Sequence, residues 1–132
     1  MSRENVEIVR GCLEAWQRGD EAAAIQALAP GIEINLVAAG VGAEVFHGHQ
    51  GVREAVDGFD SAWDRSEFEF GDLLDAGDQV VARFTHRLRG RASGIDVVAR
   101  YSAGFTVRAG KIVRFRDFAS RRAALEAVGL RE

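Results

Sequence analysis

The sequence predicts an α+β fold in one domain, residues 1–132, because helix-like and strand-like patterns occupy different parts of the chain. Apolar residues recur every three or four positions through most of residues 1–65, which is the spacing of an amphipathic helix. From Ser66 onward apolar and polar residues mostly alternate, which is typical of strands with one buried face. Helices followed by a run of strands favour a layer of helices packed on an antiparallel sheet.

Three helices are predicted in the N-terminal half. The first carries an apolar stripe over Val6–Trp16 and ends at Gly19. Asp20 caps the second helix, which Pro30 ends. A short alternating strand at 32–36 comes next, and the segment FHGHQG then leads into a third helix that buries Val52, Val56, Phe59 and Trp63.

The second half of the chain predicts successive antiparallel strands joined by turns. The segment DAGD at 75–78 is a turn, glycines bracket a loop at 90–94, and Ala109–Gly110 forms a tight hairpin. In the last strand Val113, Phe115 and Asp117 are expected to point inward. Ser120 caps a last short helix that ends at Gly129.

Charge is distributed unevenly along the chain, whose net charge is −3. Residues 1–82 carry 5 Arg against 16 Asp and Glu, whereas residues 83–122 carry 10 Arg and 1 Lys against 2 Asp. Strand alternation places almost all of these later arginines on one face of the sheet. We therefore expect helices to cover the apolar inner face and the outer face to be basic.

Composition excludes several classes of protein. Cys12 is the only cysteine, so the chain can form no internal disulfide and has no cysteine spacing typical of a zinc site. We expect Cys12 to be a small buried apolar residue. The charged N-terminal segment MSRENVEIVRG does not resemble a secretory signal, and no apolar run approaches the ~20 residues of a membrane span. We expect a soluble, cytoplasmic protein that needs no cofactor.

The alternation places two titratable side chains on the inner face of the sheet. In the segment RFTHRLRG, His86 has the same parity as Phe84, and on a later strand Asp117 has the same parity as Phe115. A buried carboxylate must be paired, hydrated or protonated. We predict His86 as its partner, since a neighbouring carboxylate makes an imidazole a better general base. The alternative is a satisfied core histidine and an acid bonded to backbone.

His47 and His49 flank Gly48 just before the third helix. Two histidines at this spacing suggest a metal site, but no carboxylate or thiol completes a set nearby in the sequence. We therefore favour a solvated turn and predict no metal site. The glycines match no phosphate-binding pattern.

Four segments carry a resemblance to a known family: VEIVRGCLEAWQRGDEAAAIQALAPGIEI, FHGHQGVREAV, DAGDQVVARF and GKIVRFRDF…ALEAVGL. Over Glu4–Leu130 the chain resembles SnoaL-like proteins of the nuclear transport factor 2-like superfamily. The resemblance implies a cone-shaped, cystatin-like curved antiparallel sheet wrapped around three N-terminal-half helices, with a pocket at one end and usually a homodimer. Its members include polyketide cyclases, ketosteroid isomerases, limonene epoxide hydrolases and non-catalytic binding modules, so the fold alone does not name the activity.

The resemblance excludes activities mainly where the catalytic residues of a branch are replaced in this sequence. The base of ketosteroid isomerases falls on Leu36, their oxyanion acid near Ser102 or Ala103, and their helix tyrosine on Cys12, so that activity is not expected.

Asp117 matches a catalytic position in two other branches of the superfamily. FRDF resembles the segment around the second catalytic Asp of limonene epoxide hydrolases, but their first Asp falls on His86 and their Arg on Phe84. Their Tyr and Asn fall on Ile34 and Leu36. In SnoaL-type cyclases an inward Asp on the last strand is the proton-transfer group, and Asp117 matches it.

The resemblance implies a pocket for a small hydrophobic molecule. Its walls are expected to be Trp16, Ile34, Leu36, Phe46, Phe59, Trp63, Phe84, Tyr101 and Phe115, although aromatic residues at these spacings also fill ordinary cores. The site residues would be His86, Asp117 and Tyr101, whose hydroxyl can donate to a ligand oxygen. One hypothesis is a cofactor-free proton-transfer enzyme, such as a cyclase or isomerase. Another is a hydrophobic-ligand-binding module without chemistry.

A third hypothesis is an interaction role for the basic outer face. Self-association in this family typically uses that face, so a homodimer is expected to pair its arginines with Glu67, Glu69 and Asp72 of the other copy. Nucleic acid is not expected, because the face lacks interleaved aromatic residues and the chain as a whole is acidic. The arginines concerned are Arg83, Arg87, Arg89, Arg100, Arg108, Arg114 and Arg116.

Overall fold

The computed structural model describes residues 2–36, 44–118, 121–127 and 129. The helices are α1 (Ser2–Gln17), α2 (Glu21–Gln26), α3 (Gly48–Ala62) and α4 (Arg121–Ala127). The strands are β1 (Leu28–Leu36), β2 (Glu44–His47), β3 (Trp63–Ala76), β4 (Gln79–Gly90), β5 (Asp96–Arg108) and β6 (Lys111–Phe118). The predicted α+β class, with a curved open sheet and helices in the N-terminal half, is confirmed.

The six strands form one sheet in the order β2-β1-β6-β5-β4-β3. The strands β3 to β6 pair antiparallel with their neighbours in sequence, as the alternation predicts. The strand β1 instead joins β6 in parallel, and β2 extends the sheet from β1 as an antiparallel edge strand. The segment β2 was not predicted as a strand, because its four residues are too short to show a period.

The second helix is shorter than the sequence predicts. The Asp20 carboxylate accepts a hydrogen bond from the Ala23 N–H at 3.1 Å and caps α2, as expected. The helix nevertheless ends at Gln26, and β1 then runs through Pro30. Pro30 lies in the stretch of β1 between Leu28 and Glu33 where the pairing register shifts, so its missing N–H costs no ladder hydrogen bond.

Apolar residues are buried on both faces of the sheet. The main core lies between the inner face and the first three helices and includes Val9, Leu13, Ile25, Ile32, Val52, Val80, Phe84, Phe105 and Ile112. A smaller cluster lies on the outer face, where Ala124 and Leu125 of α4 pack with Val81, Leu74 and Phe118. The outer face is therefore partly covered by α4 rather than entirely basic.

A β-bulge changes which side of β6 faces the core. The register of β5 and β6 shifts between the pairs Thr106–Arg114 and Val107–Ile112. Ile112 is fully buried in the main core, whereas Val113 lines the outer face. The predicted inward position of Val113 is therefore wrong, because a bulge shifts the alternation by one residue.

The start of β5 is more exposed than the alternation predicts. Val97 has the same parity as Tyr101 and Phe105, which predicts burial, but it is 40% exposed. Its face is the inner one, since Val97 lies opposite Leu88 of β4. The pairing of β6 with β5 reaches only Ser102 within the described residues, so the earlier part of β5 has no strand on that side there.

Candidate functional site

His86 lies on the inner face of β4 and is enclosed mainly by aromatic rings. The side chain is half-buried. The Phe59 ring of α3 stacks on the imidazole with a centroid distance of 5.1 Å. Phe68, its partner across the β3–β4 ladder, presents an edge at 6.0 Å. His86 therefore points inward, as the alternation predicts.

Both ring nitrogens of His86 have hydrogen-bond partners. Nε2 lies 2.9 Å from the Ser66 hydroxyl oxygen on β3, and Nδ1 lies 3.3 Å from the Tyr101 hydroxyl oxygen on β5. Ser66 is exposed, whereas Tyr101 is half-buried. The structure thus brings three groups that can carry a proton into one line, from the solvent side toward the core.

Burial determines the charge of the imidazole. Loss of solvation lowers the pKa of His86 below its ordinary value, because a charged ring is disfavoured away from water. His86 is therefore neutral at pH 7, so that one ring nitrogen can accept a proton. A neutral imidazole is the form in which histidine acts as a general base.

Tyr101 is fixed by stacking and stays protonated. Its ring lies against Phe84, with centroids 5.2 Å apart and planes at 20°. Burial, and secondarily the negative charge of Asp117, raises the pKa of Tyr101 to about 12. The phenol is thus a hydrogen-bonding group across the neutral pH range.

Asp117 is buried, with 2% of its surface exposed, but it does not bind the imidazole directly. His86 lies opposite Ala99 of β5, and Asp117 lies opposite Ala103. Four residues of strand separate these rows by about 13 Å. Both ring nitrogens of His86 have other partners, so the predicted direct contact between His86 and Asp117 is wrong. Tyr101 lies between the two residues, and the negative charge of Asp117 helps to raise its pKa.

The other predicted wall residues lie in two groups. Phe59 stacks on His86, Phe84 stacks on Tyr101, and the Trp63 ring lies 6.1 Å from the Phe59 ring. Ile34, Phe46 and Phe115 form a separate row, because Ile34 pairs with Phe46 on β2 and with Phe115 on β6. Trp16 packs on the main core from α1, and Leu36 is half-buried at the end of β1. Trp63 begins β3 instead of belonging to the third helix.

The two histidines lie in regular elements rather than in a turn, and only His47 is exposed as predicted. His47 ends β2 and lies 3.6 Å from a Glu33 carboxylate oxygen. His49, in the first turn of α3, donates from Nε2 to the Leu28 carbonyl at 3.0 Å. No cluster of three or more His, Cys, Asp and Glu side chains suited to a metal ion occurs among the residues that the structure describes.

Cys12 is buried and lies 3.5 Å from the Ala24 carbonyl oxygen, to which its thiol donates. Burial raises the pKa of Cys12 to about 11. A thiol that stays protonated is a poor nucleophile, which fits the predicted role of a small core residue.

The outer face carries a cleft of ≈ 430 Å³ beside the end of α4. Its lining includes Arg108, Arg114, Arg116 and Phe118. Arg116 lies over the Phe118 ring at 4.9 Å. Arg114 pairs with Glu33 at 3.2 Å, so part of the basic face is neutralised within the chain.

Sequence reasoning missed Ser66. It was treated only as the residue at which the period changes, although it has the same parity as Phe68 and Phe70 and hence the same face. Its contact with His86 depends on β3–β4 pairing, in which Phe68 lies opposite His86. The alternation could have placed Ser66 on the inner face, but the register was needed to place it beside the ring.

Comparison with solved structures agrees with this architecture. A nuclear transport factor 2-like protein from Burkholderia thailandensis is 30% identical, with a TM-score of 0.80 over 86% of this chain and 88% of that one. A protein named as a SnoaL-like polyketide cyclase from Mesorhizobium loti is 27% identical, with a TM-score of 0.67 over 85% and 96%. A protein from Catenulispora acidiphila with a ketosteroid isomerase-like fold, solved in complex with trimethylamine, is 17% identical. Its TM-score is 0.73 over 94% of this chain and 93% of that one.

A comparison with curated proteins gave no match. Among the described residues, none of the helices is both long and apolar enough to span a bilayer. The model of the SnoaL-like domain matches residues 9–115, a range that contains the whole Ser66–His86–Tyr101 line. The chain therefore belongs to the SnoaL-like domain family of the nuclear transport factor 2-like superfamily.

Proposed function

We propose that this protein binds a small hydrophobic molecule at His86 and moves a proton on it without a cofactor, as a cyclase or isomerase does. The observation that carries the proposal is a neutral, half-buried imidazole between the Phe59 and Phe68 rings. Apolar walls with a few convergent polar groups are the usual form of a small-molecule site. Similar solved structures, named as a polyketide cyclase and as a trimethylamine complex, support a small-molecule ligand.

The proposed chemistry assigns one role to each group. His86 takes a proton from a carbon next to a carbonyl group through Nε2, the nitrogen that faces the exposed Ser66 hydroxyl. Tyr101 holds the other ring nitrogen. The negative charge of Asp117 helps to keep Tyr101 protonated, so the phenol remains a hydrogen-bonding partner of the ring. A positioned base is what the enolate-forming proton abstraction requires.

The test uses 2-indanone, an apolar ketone with acidic α-protons, as a probe. Exchange of these protons for deuterium is followed by NMR in deuterated buffer. Wild type should accelerate the exchange, and His86→Gln should lose about 100- to 10,000-fold of that acceleration, the range expected for one general base. Glutamine keeps a polar planar side chain, so the loss reports on basicity rather than on packing.

His47→Gln is the matched control, because His47 is exposed and pairs with Glu33 away from the inner face. This variant should exchange the probe as wild type does. Equal rates in wild type and His86→Gln would contradict the proposed function. If 2-indanone shifts the Phe59 and His86 signals without any exchange, the protein is a binding module, which is the alternative.

We also infer that a homodimer forms through the outer face. Arg83, Arg87 and Arg100 lie there, and no ion pair involves them among the described residues. Glu67, an expected partner in the second copy, pairs with Arg65 of its own chain at 3.0 Å, which leaves Glu69 and Asp72 as the acidic partners. Sedimentation velocity at micromolar concentration should give a dimer that Arg87→Glu weakens. A monomeric wild type would remove this inference.

A further inference from the structure

We propose that Ser66 is a nucleophile and that the protein transfers acyl groups from small apolar carboxylic esters to water. This activity goes beyond the proton transfer proposed above, since it forms a covalent intermediate on a residue that the sequence reasoning did not consider. It shares His86 and Tyr101 with that proposal and adds Ser66 as the reacting group.

The geometry is that of a nucleophile, a base and a group that orients the base. The Ser66 hydroxyl lies within hydrogen-bond distance of Nε2 at 2.9 Å, and Tyr101 holds Nδ1 from the other side at 3.3 Å. Serine is a weak nucleophile unless a neighbouring base takes its proton as it attacks. Such a set is recognised by geometry and roles rather than by positions in the sequence.

The contact of Tyr101 with the ring allows a productive arrangement of protons. The phenolic oxygen of Tyr101 can accept a hydrogen bond from Nδ1–H of His86, from which it lies 3.3 Å away. A neutral imidazole protonated on Nδ1 has a free lone pair on Nε2. Nε2 then accepts the Ser66 hydrogen, which is the direction that activates the oxygen.

A small ester can reach the nucleophile. Ser66 is exposed, whereas the base behind it is half-buried, so the hydroxyl lies between solvent and the ring. Phe68 lies two residues along the same face, and Phe59 covers the imidazole. These rings offer an apolar surface for the acyl chain, which indicates a hydrophobic acyl group rather than a charged one.

The step balances without any cofactor. Ser66 Oγ forms a bond to the ester carbonyl carbon, and its proton passes to Nε2 of His86. The carbon–oxygen bond to the leaving alcohol breaks, and the alcohol departs with that proton. Water then attacks the acyl-serine with His86 as base, which releases the carboxylic acid and restores Ser66.

The test uses p-nitrophenyl acetate as the acyl donor. Wild type should release a rapid burst of about one p-nitrophenolate per chain, the expected signature of an acyl-enzyme. Mass spectrometry of a quenched digest should find the acetyl group on Ser66. Ser66→Ala should lose the burst, and His86→Gln should slow acylation by about 100-fold or more while Ser66 remains.

Ser61→Ala is the matched control, because Ser61 is an exposed serine whose hydroxyl donates only to the Gly58 carbonyl in α3. This variant should keep the burst. An acetyl group on His86 or Lys111 with Ser66 unmodified, or a full burst in Ser66→Ala, would overturn the proposal. A wild type that exchanges 2-indanone protons but is not acylated removes the nucleophile and leaves the proposed function standing.

Discussion

Replacing Phe84 by alanine should lower the free energy of unfolding by about 3–5 kcal/mol, the range for a large aromatic residue removed from a core. Phe84 is only 4% exposed. Its ring contacts Tyr101, Phe68 and Phe105, with centroids 5.2, 6.0 and 6.4 Å away. The same change removes the surface that holds Tyr101 beside His86. Equilibrium denaturation in urea measures the stability.

Phe59→Ala is the control that separates stability from the site. Phe59 is half-buried and stacks on His86 from α3, so its loss should cost clearly less stability than the loss of Phe84. Uncovering the imidazole should raise the pKa of His86 toward its ordinary value, because burial is what lowers it. If Phe84→Ala costs less than about 1 kcal/mol, the aromatic stack does not support the core as argued.

Replacing Ile112 by alanine should lower the free energy of unfolding by about 2–5 kcal/mol, whereas Val113→Ala should cost less than about 1 kcal/mol. Ile112 is fully buried in the main core, and its N–H donates to the Ala27 carbonyl at 2.9 Å. Val113 lines the open outer cleft. Unbroken alternation from Phe115 predicts the opposite order of effects.

This pair of variants therefore tests the β-bulge directly. Urea denaturation of both proteins at one pH is sufficient, since the two changes remove three and two side-chain carbons from adjacent positions. A larger loss in Val113→Ala than in Ile112→Ala would show that β6 alternates without interruption. The register shift between Thr106 and Val107 would then be wrong.

Strand parity could be read from the sequence, but strand register could not. Alternation correctly placed His86 and Tyr101 on the inner face, because each strand has a buried side whose residues recur every second position. The distance between His86 and Asp117 depends on which residues lie opposite each other. Residue pairing is set by turns and bulges across the whole sheet. The sequence therefore predicts a direct contact between His86 and Asp117, whereas the structure places Tyr101 between these two residues.

Long-range pairing and local irregularity account for the other differences. The parallel contact of β1 with β6 joins segments far apart in sequence, and no local pattern reports it. Pro30 suggested the end of a helix, yet it lies in the irregular part of β1, where a missing N–H is tolerated. The bulge at Ile112, and the start of β5 that pairs with β4 but not with β6 among the described residues, likewise follow from neighbouring strands rather than from the residues themselves.

The central claim is that His86 is a neutral base that accepts a hydrogen bond from Ser66. Nitrogen-15 NMR of the imidazoles tests it most directly, because the chain has only three histidines and His86→Gln assigns the signal. We expect His86 to titrate below ~6.5, the ordinary value for histidine, and at pH 7 to carry its proton on Nδ1. Asp117→Asn should weaken that tautomer preference. A His86 that titrates at or above ~6.5, or that carries its proton on Nε2 at pH 7, would contradict the account.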